Sequence, residues 1–279
     1  SFQLNVFIRD LPFNTSIDWW VEVTDGDAVT SSEQRDFTLD SVLYHNGPLW
    51  YITDSGNDST GNGSDAYPFE TIQHALDVSA DNDTVLVPVG TFSEALSVSH
   101  PVVLIGVSQS FEKPILDGLS GQRIITVWGD VALTINNFVL QNGNGGTTGG
   151  GAIYSSEGSI HISDCQFQYN SVSGSGKGAA IYSGSSELVI KHTLFWNNIS
   201  LNGDAGAVYI NGGLIDSSEF RNNMAGNNGG AVVVGPGDSV VARYSVFYGN
   251  TAGDIGGAIY CEGEAMIFNP EGTARTYFG

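Results

Sequence analysis

The stretch Gly149–Asn170 reads GGGAIYSSEGSIHISDCQFQYN, and close copies of it follow to the end of the chain. Anchored on the alanine of the glycine-rich motif, the copies fall at Ala152, Ala180, Ala207, Ala231 and Ala258, spaced 28, 27, 24 and 27 residues. Anchored on phenylalanine, they fall at Phe138, Phe167, Phe195, Phe220 and Phe247, spaced 29, 28, 25 and 27. The two rulers agree, so the chain is an internal repeat of short units.

Each unit alternates. Seven residues before each phenylalanine stand Val131, Ile160, Leu188, Gly213 and Val240, and five before it stand Leu133, Ile162, Ile190, Ile215 and Ala242. Period-two alternation marks strands with one face buried. Two residues before each phenylalanine come Asn136, Cys165, Thr193, Ser218 and Ser245, and three after it come Gln141, Asn170, Asn198, Asn223 and Asn250. A helix-free unit of this length, punctuated by glycine, fits one coil of a parallel β-helix. Stacked coils lie roughly 4.8 Å apart, so the phenylalanines predict a buried aromatic column. The asparagines predict a ladder that passes amide hydrogen bonds from coil to coil.

Composition agrees with that reading. Among 279 residues 37 are glycine and only 14% are charged, which describes a chain that turns often and forms few helices. The net charge of −21 repels phosphate and anionic lipid, which excludes nucleic acid as a partner class. Residues 1–95 carry 16 acids against two bases, whereas residues 96–279 carry 14 against seven, so the repeat itself is charge-poor. With no apolar run of membrane-spanning length, no membrane insertion by this segment is expected. The five Asn-x-Ser/Thr sites, Asn14, Asn57, Asn62, Asn82 and Asn198, are no more than such a composition yields by chance. Cys165 and Cys261 lie about four coils apart, on the order of 19 Å by strand spacing, so two free thiols are expected.

Ahead of the repeat, residues 49–98 supply Trp50, Tyr51, Gly56, Asn57, Asp58, Gly61, Pro68, Phe69, Thr71, Ile72, Ala75, Leu76, Asp83, Thr84, Val85, Gly90, Thr91 and Glu94. Ile72, Ala75, Leu76 and Ser79 form the stripe of a short amphipathic helix. On these residues the segment resembles the N-terminal opening of right-handed β-helix proteins of the pectate-lyase-like superfamily. The Gly-Gly-Ala-Ile and Phe-x-x-Asn repeats over about residues 136–260 are similar to those of chlamydial polymorphic outer-membrane adhesins. Around DWWVEVTDGDAVTSSEQRDFTL, where Trp20, Val21 and Val23 alternate toward Phe37 and Leu39 across an Asp-Gly turn, the chain resembles the last strands of a fibronectin type III-like module.

The expected fold is therefore all-β: a right-handed parallel β-helix (solenoid) with a short N-terminal capping helix, preceded by part of a β-sandwich. The expected divisions are a sandwich segment over 1–41, the β-helix opening and cap over 42–95, and coils over 96–279, with both ends read as cuts in a longer multidomain surface protein.

The resemblance implies a fold rather than an activity, since one such fold hosts many functions. Catalysis by a lyase or hydrolase needs acids meeting on one face. Counted from each phenylalanine, Glu157, Asp164, Glu187, Asp216 and Asp238 all take different columns. Lys177 and Asp204, each three residues before its alanine, form a neighbouring pair and the best candidate for a catalytic site. Lys191, Asp216 and Arg243 share a column and read as a surface ion ladder. His161 and His192 fall in different columns, and no metal-ligand spacing appears among the histidines. Asp54, Asn57, Asp58 and Asp65 are either oxygen ligands for calcium or turn-capping side chains.

Tyr154, Tyr182, Tyr209 and Tyr260 share a column broken at Val233. If Ile153 and its equivalents point inward, the tyrosines lie outside as a ligand-binding ladder; if the alanines do, they are core. The leading expectation is a non-enzymatic extracellular or cell-surface stalk or adhesin, binding glycan or a surface protein and flanked by neighbouring domains. The rivals are a polysaccharide lyase or other carbohydrate-active enzyme, and a structural protein that self-associates into filaments or sheets.

Overall fold

The computed structural model describes residues 16–19, 22–24, 29–31, 35–38, 45–185, 187–236, 239–268 and 277–278. The chain forms two compact units, Ser1–His45 and Asn46–Gly279. In the first, Ser16–Trp19 pairs antiparallel with Arg35–Thr38, and Glu22–Thr24 pairs with Val29–Ser31. Val23 thus pairs with Thr30, while Phe37 pairs with Ile17 in a separate ladder. The fibronectin-like reading rests also on Trp20, Val21, Leu39 and the Asp-Gly turn, which lie outside the described residues, as does Asp238 in the repeat.

The second unit is the β-helix. Its strands stack in parallel sheets of nine, eight, seven and four strands. The nine-stranded sheet runs from Leu49–Tyr51 to Glu264–Phe268, the eight-stranded from Thr91–Phe92 to Tyr277–Phe278, and the seven-stranded from Leu96–Val98 to Ile259–Cys261. The four-stranded sheet joins Ser171–Val172, Ile199–Ser200, Met224–Ala225 and Thr251–Ala252. Parallel strands joined by successive crossovers take the right-handed path that strand twist favours.

One continuous core fills the lumen. On the nine-stranded sheet Val85, Leu104, Ile135, Ile162, Ile190 and Ile215 lie in register and fully buried. On the eight-stranded sheet Phe167, Phe195, Phe220 and Phe247 stack with ring centroids 4.9, 4.6 and 4.8 Å apart and planes within 9° of parallel. Each fully buried ring contributes about 1.5–3 kcal/mol of hydrophobic stabilisation. At the corner beyond it, the asparagine ladder closes as expected. Asn198, for example, donates its side-chain N–H to the Phe167 carbonyl (3.0 Å) and to Asn223 Oδ1 (2.9 Å). Phe-x-x-Asn is therefore one device: the phenylalanine carbonyl of each coil is the acceptor for the asparagine of the next.

The first repeat departs from the expected alignment. Leu140, not Phe138, pairs with Phe167, and Leu133, not Val131, pairs with Ile160. Phe138 is fully buried instead two residues earlier, where the later coils carry Cys165, Thr193, Ser218 and Ser245. Gln141 consequently pairs with Gln168 on the outer face and is no member of the asparagine ladder, whose first step is Gly143 N–H to Asn170 Oδ1 at 2.8 Å.

The opening segment seals the N-terminal end of the stack. The helix Ile72–Val78 buries Ile72, Ala75 and Leu76 against the core, and Thr71 caps it by accepting from the His74 N–H. Glu94 accepts from the first two helical N–H groups, of Ile72 (3.0 Å) and Gln73 (2.9 Å), where both the unpaired donors and the helix dipole favour a carboxylate. Asp83, 7% exposed, accepts from the Trp50 indole (2.8 Å) and the Ala80 N–H (2.9 Å). Gly63, at φ +78°, leaves the space in which a side chain would strike both Trp50 and Phe69 at 2.5 Å. The cap thus covers strand edges that would otherwise invite pairing with another chain.

Candidate functional site

The seven-stranded sheet carries the tyrosine column, and its parity is resolved. Ile153, Ile181, Val208 and Val232 point into the lumen, and so do Ala152, Ala180, Ala207 and Ala231. Both columns face inward because the chain bends immediately before each strand, at left-handed positions such as Gly150 (φ +59°) and Gly178 (φ +64°). The tyrosines therefore lie outside the lumen, in register across Tyr154, Tyr182 and Tyr209.

There the rings stack on one another. Tyr154–Tyr182 and Tyr182–Tyr209 centroids are both 5.1 Å apart, with planes 11° and 4° from parallel. Tyr209 is buried with Ala205 and Val233 in a small outer core, against which Tyr182 and Tyr260 pack. Cations from the glycine-rich loops lie over both ends: the Arg123 guanidinium is 4.7 Å from the Tyr154 ring and Lys177 Nζ is 4.7 Å from Tyr209. Arg123 also donates to the carbonyls of Gly145, Gly149 and Gly150 and to Thr148 Oγ1, and its burial lowers its pKa below the ordinary value. The ring faces are taken up within the protein, and the ring edges of Tyr154 and Tyr182 reach solvent.

Lys177 and Asp204 do meet, at 3.6 Å. Both ends of the pair are engaged elsewhere: Lys177 with the Tyr209 ring, and Asp204 with the N–H and side-chain amide of Asn228, each at 3.2 Å. The charge column forms as expected from Asp216 onward, with Arg243 donating to Asp216 at 2.8 Å. Burial pushes the Asp216 pKa up, but the Arg243 hydrogen bond and charge outweigh it and leave the carboxyl below its ordinary value.

Of the four oxygen-bearing residues considered for calcium, Asn57 and Asp58 serve as turn and cap acceptors. Asn57 Oδ1 takes the N–H groups of Ser59 and Thr60, both at 2.8 Å. Asp58 takes the N–H groups of Glu70 (2.8 Å) and Thr71 (3.1 Å) and the Thr71 hydroxyl (2.6 Å). Asp54 lies near Gly90, and Asp65 is exposed. Among the described residues, no group of three His, Cys, Asp or Glu side chains is placed to hold a metal ion. Asn198, one of the five sequons, is fully buried in the asparagine ladder and closed to glycosylation.

Two features escaped the sequence. Glu94 was visible only as a member of the opening pattern; its role as acceptor for the helix N-terminus needs a contact 21 and 22 residues back along the chain. The place of Gln141 at the head of the outer column Gln168, Trp196, Arg221 and Tyr248 was hidden by the two-residue offset of the first repeat. The signal that finds it is the 27-residue interval from Leu140 to Phe167, which matches the later coils better than 29.

Comparison with known proteins supports the same architecture. Residues 54–110 match a protein family of unknown function, DUF1565, and residues 244–262 match the Chlamydia polymorphic membrane protein repeat. The first match covers the cap, the helix and the first coils; the second covers one Phe-x-x-Asn to Gly-Gly-Ala-Ile unit. No curated protein matches the chain significantly. No helix among the described residues is long and apolar enough to cross a membrane. The chain is a right-handed parallel β-helix protein, and one of its coils, residues 244–262, is similar to the Chlamydia polymorphic membrane protein repeat.

Proposed function

We propose that this chain is a non-enzymatic, surface-presented binding segment, a stalk or adhesin whose broad solenoid faces engage a glycan or a surface protein. The observation that carries the reading is the repeat itself: the unit shared with the Chlamydia polymorphic membrane protein repeat supplies the phenylalanine column and the asparagine ladder, which stack coils into long, shallow faces. The carboxylates of those coils support it further. Asp216, Asp204 and Asp117 each spend their oxygens on neighbouring side chains, which suits a scaffold better than acid–base chemistry.

The second reading, a polysaccharide lyase using Lys177 and Asp204, draws on their 3.6 Å approach. Incubation with polygalacturonate and alginate, with and without calcium, separates the two. The binding reading expects no rise in absorbance from unsaturated uronate ends, together with saturable attachment of the immobilised chain to cell surfaces. Product formation that disappears in Lys177→Ala would overturn it. Gel filtration at several concentrations tests self-association, with a constant elution volume expected for a stalk.

A further inference from the structure

The outer face of the eight-stranded sheet differs from its neighbours. The nine-stranded sheet exposes the charged column of Lys191, Asp216 and Arg243, and the seven-stranded sheet is covered by its loops and stacked tyrosines. The eight-stranded sheet instead presents amides and unstacked aromatic rings. We infer that this face is a binding site for an uncharged carbohydrate chain, lying along the stack across Gln168 and Trp196; this deepens the binding-segment reading and rests on it.

The amides are held in line before any ligand arrives. Gln166 Nε2 donates to Gln168 Oε1 (2.6 Å), Gln168 Nε2 to Gln141 Oε1 (2.7 Å), and Gln141 Nε2 to Asp117 Oδ2 (2.8 Å). Asp117, 8% exposed, also accepts from Asn142 and from the Leu119 N–H, which fixes the direction of the relay. Gln141 and Gln168 each use one of their two N–H donors and one of their two lone pairs in these bonds, and Gln166 uses one donor. The rest remain as donor–acceptor pairs repeated from coil to coil, roughly 4.8 Å apart. Side chains ordered in advance lose little entropy on binding.

The next position in the same column is Trp196. Its ring lies 5.1 Å from Tyr169 at an interplanar angle of 57°. In the tyrosine column the planes are nearly parallel and the ring faces cover one another; here the rings are tilted, and Trp196 is half-buried beside the exposed Tyr169. Tyr169 is 46% exposed, and Tyr248, two coils further along the column, is 63% exposed. A sugar ring offers an apolar C–H surface to an aromatic face and hydroxyl groups to amides, which is the pair of functions this face supplies.

Charge selects the class of sugar. The chain carries −21 overall, which repels acidic polysaccharides. The face itself exposes little unpaired charge, because Glu219 and Arg221 pair with each other and the carboxylate of Asp117 is buried under its hydrogen bonds.

The test is titration of the chain with neutral gluco-, manno-, galacto- and xylo-oligosaccharides, and with oligogalacturonate and alginate fragments, followed by tryptophan fluorescence and calorimetry. At least one neutral series should bind, and Trp196→Ala and Gln168→Ala should each weaken it about tenfold, the equivalent of 1.4 kcal/mol. Trp196→Phe should retain most of the affinity. Trp128→Ala, which removes a 61%-exposed tryptophan held by Ser97 on another face, should leave it unchanged. Circular dichroism establishes that each variant keeps the fold. No binding by any neutral series, or binding indifferent to Trp196 and Gln168, overturns the inference. Cell attachment that is lost in Trp196→Ala without any sugar binding also overturns it, in favour of a protein ligand, while leaving the binding-segment reading in place. Release of unsaturated products would instead sink that underlying reading.

Discussion

Asn223 Oδ1 accepts two hydrogen bonds from Asn198, one from its backbone N–H at 3.0 Å and one from its side-chain N–H at 2.9 Å. The same bifurcated acceptance recurs from Asn170 to Asn198 and from Asn223 to Asn250. Both residues of the first pair are fully buried, so neither has water as a substitute partner. Asn223→Ala orphans two donors of Asn198 and the Phe195 carbonyl that Asn223 itself serves. A loss of about 3 kcal/mol or more is expected, since each buried unsatisfied group costs about 1–3 kcal/mol. Urea denaturation of Asn223→Ala measures it; a loss below about 1 kcal/mol would show that the ladder is not a major stabilising element.

Ala205 occupies the left-handed corner, at φ +59°, that Gly150, Gly178, Gly229 and Gly256 fill in the other coils. A left-handed alanine costs about 1–2 kcal/mol. Its methyl group is fully buried against Tyr209 and Val233, however, which returns part of that cost. Glycine also adds unfolded-state entropy of about 0.5–1 kcal/mol. Ala205→Gly should therefore shift stability by less than about 1 kcal/mol. Gly178→Ala should be far worse, because its Cβ would come within 2.0 Å of the Ile181 carbonyl oxygen. A destabilisation above about 2 kcal/mol is expected there. Similar melting temperatures for the two variants would contradict this account.

The parallel solenoid was legible because its interior repeats chemically: phenylalanine, asparagine and glycine return at one interval, and each has one physical role in the coil. The first coil was misaligned because Phe138 imitates the anchor two residues early, and a residue type alone does not reveal which column it fills. The outer faces were harder for a related reason. Gln168, Trp196, Arg221 and Tyr248 each follow a repeat phenylalanine by one residue, so the repeat spacing aligns them, but they share no chemistry that marks the column as a surface. The tyrosine column was visible, whereas the loops and cations that cover it come from other coils and follow no local pattern. Ala205 likewise hides its backbone conformation behind an ordinary residue type.

The Glu94 contact predicts a local failure at the sealed end. Glu94→Ala removes the acceptor from the Ile72 and Gln73 N–H groups and should cost about 1–2 kcal/mol, the range of a lost helix cap. The helix shields the first strands, so exchange of the amides of Ile72–Val78 should accelerate more than that of the central coils. Hydrogen exchange resolved by peptide distinguishes this outcome from a uniform loss of protection, which would mean that the cap and the coils open as one unit.

The two cysteines should differ sharply in reactivity. Cys165 lies buried in the core and Cys261 is exposed, and neither forms a disulfide. Burial pushes the Cys165 thiol up to about 12 from an ordinary value of 9.0. A thiol-specific reagent at neutral pH should therefore label one equivalent quickly, with the Cys261→Ser variant labelled only on unfolding. The sign of the pH effect follows from the same shift. Below pH 9 the thiol is protonated in both states, so its contribution to stability is fully present. Between about 9 and 12 the unfolded chain loses the proton while the folded chain keeps it, and stability falls by up to about 1.4 kcal/mol per pH unit from this group. Denaturation measured from pH 8 to 10.5 should show that slope relieved in Cys165→Ala, after allowance for the stability the variant itself loses. An identical slope in both proteins would place the alkaline sensitivity elsewhere.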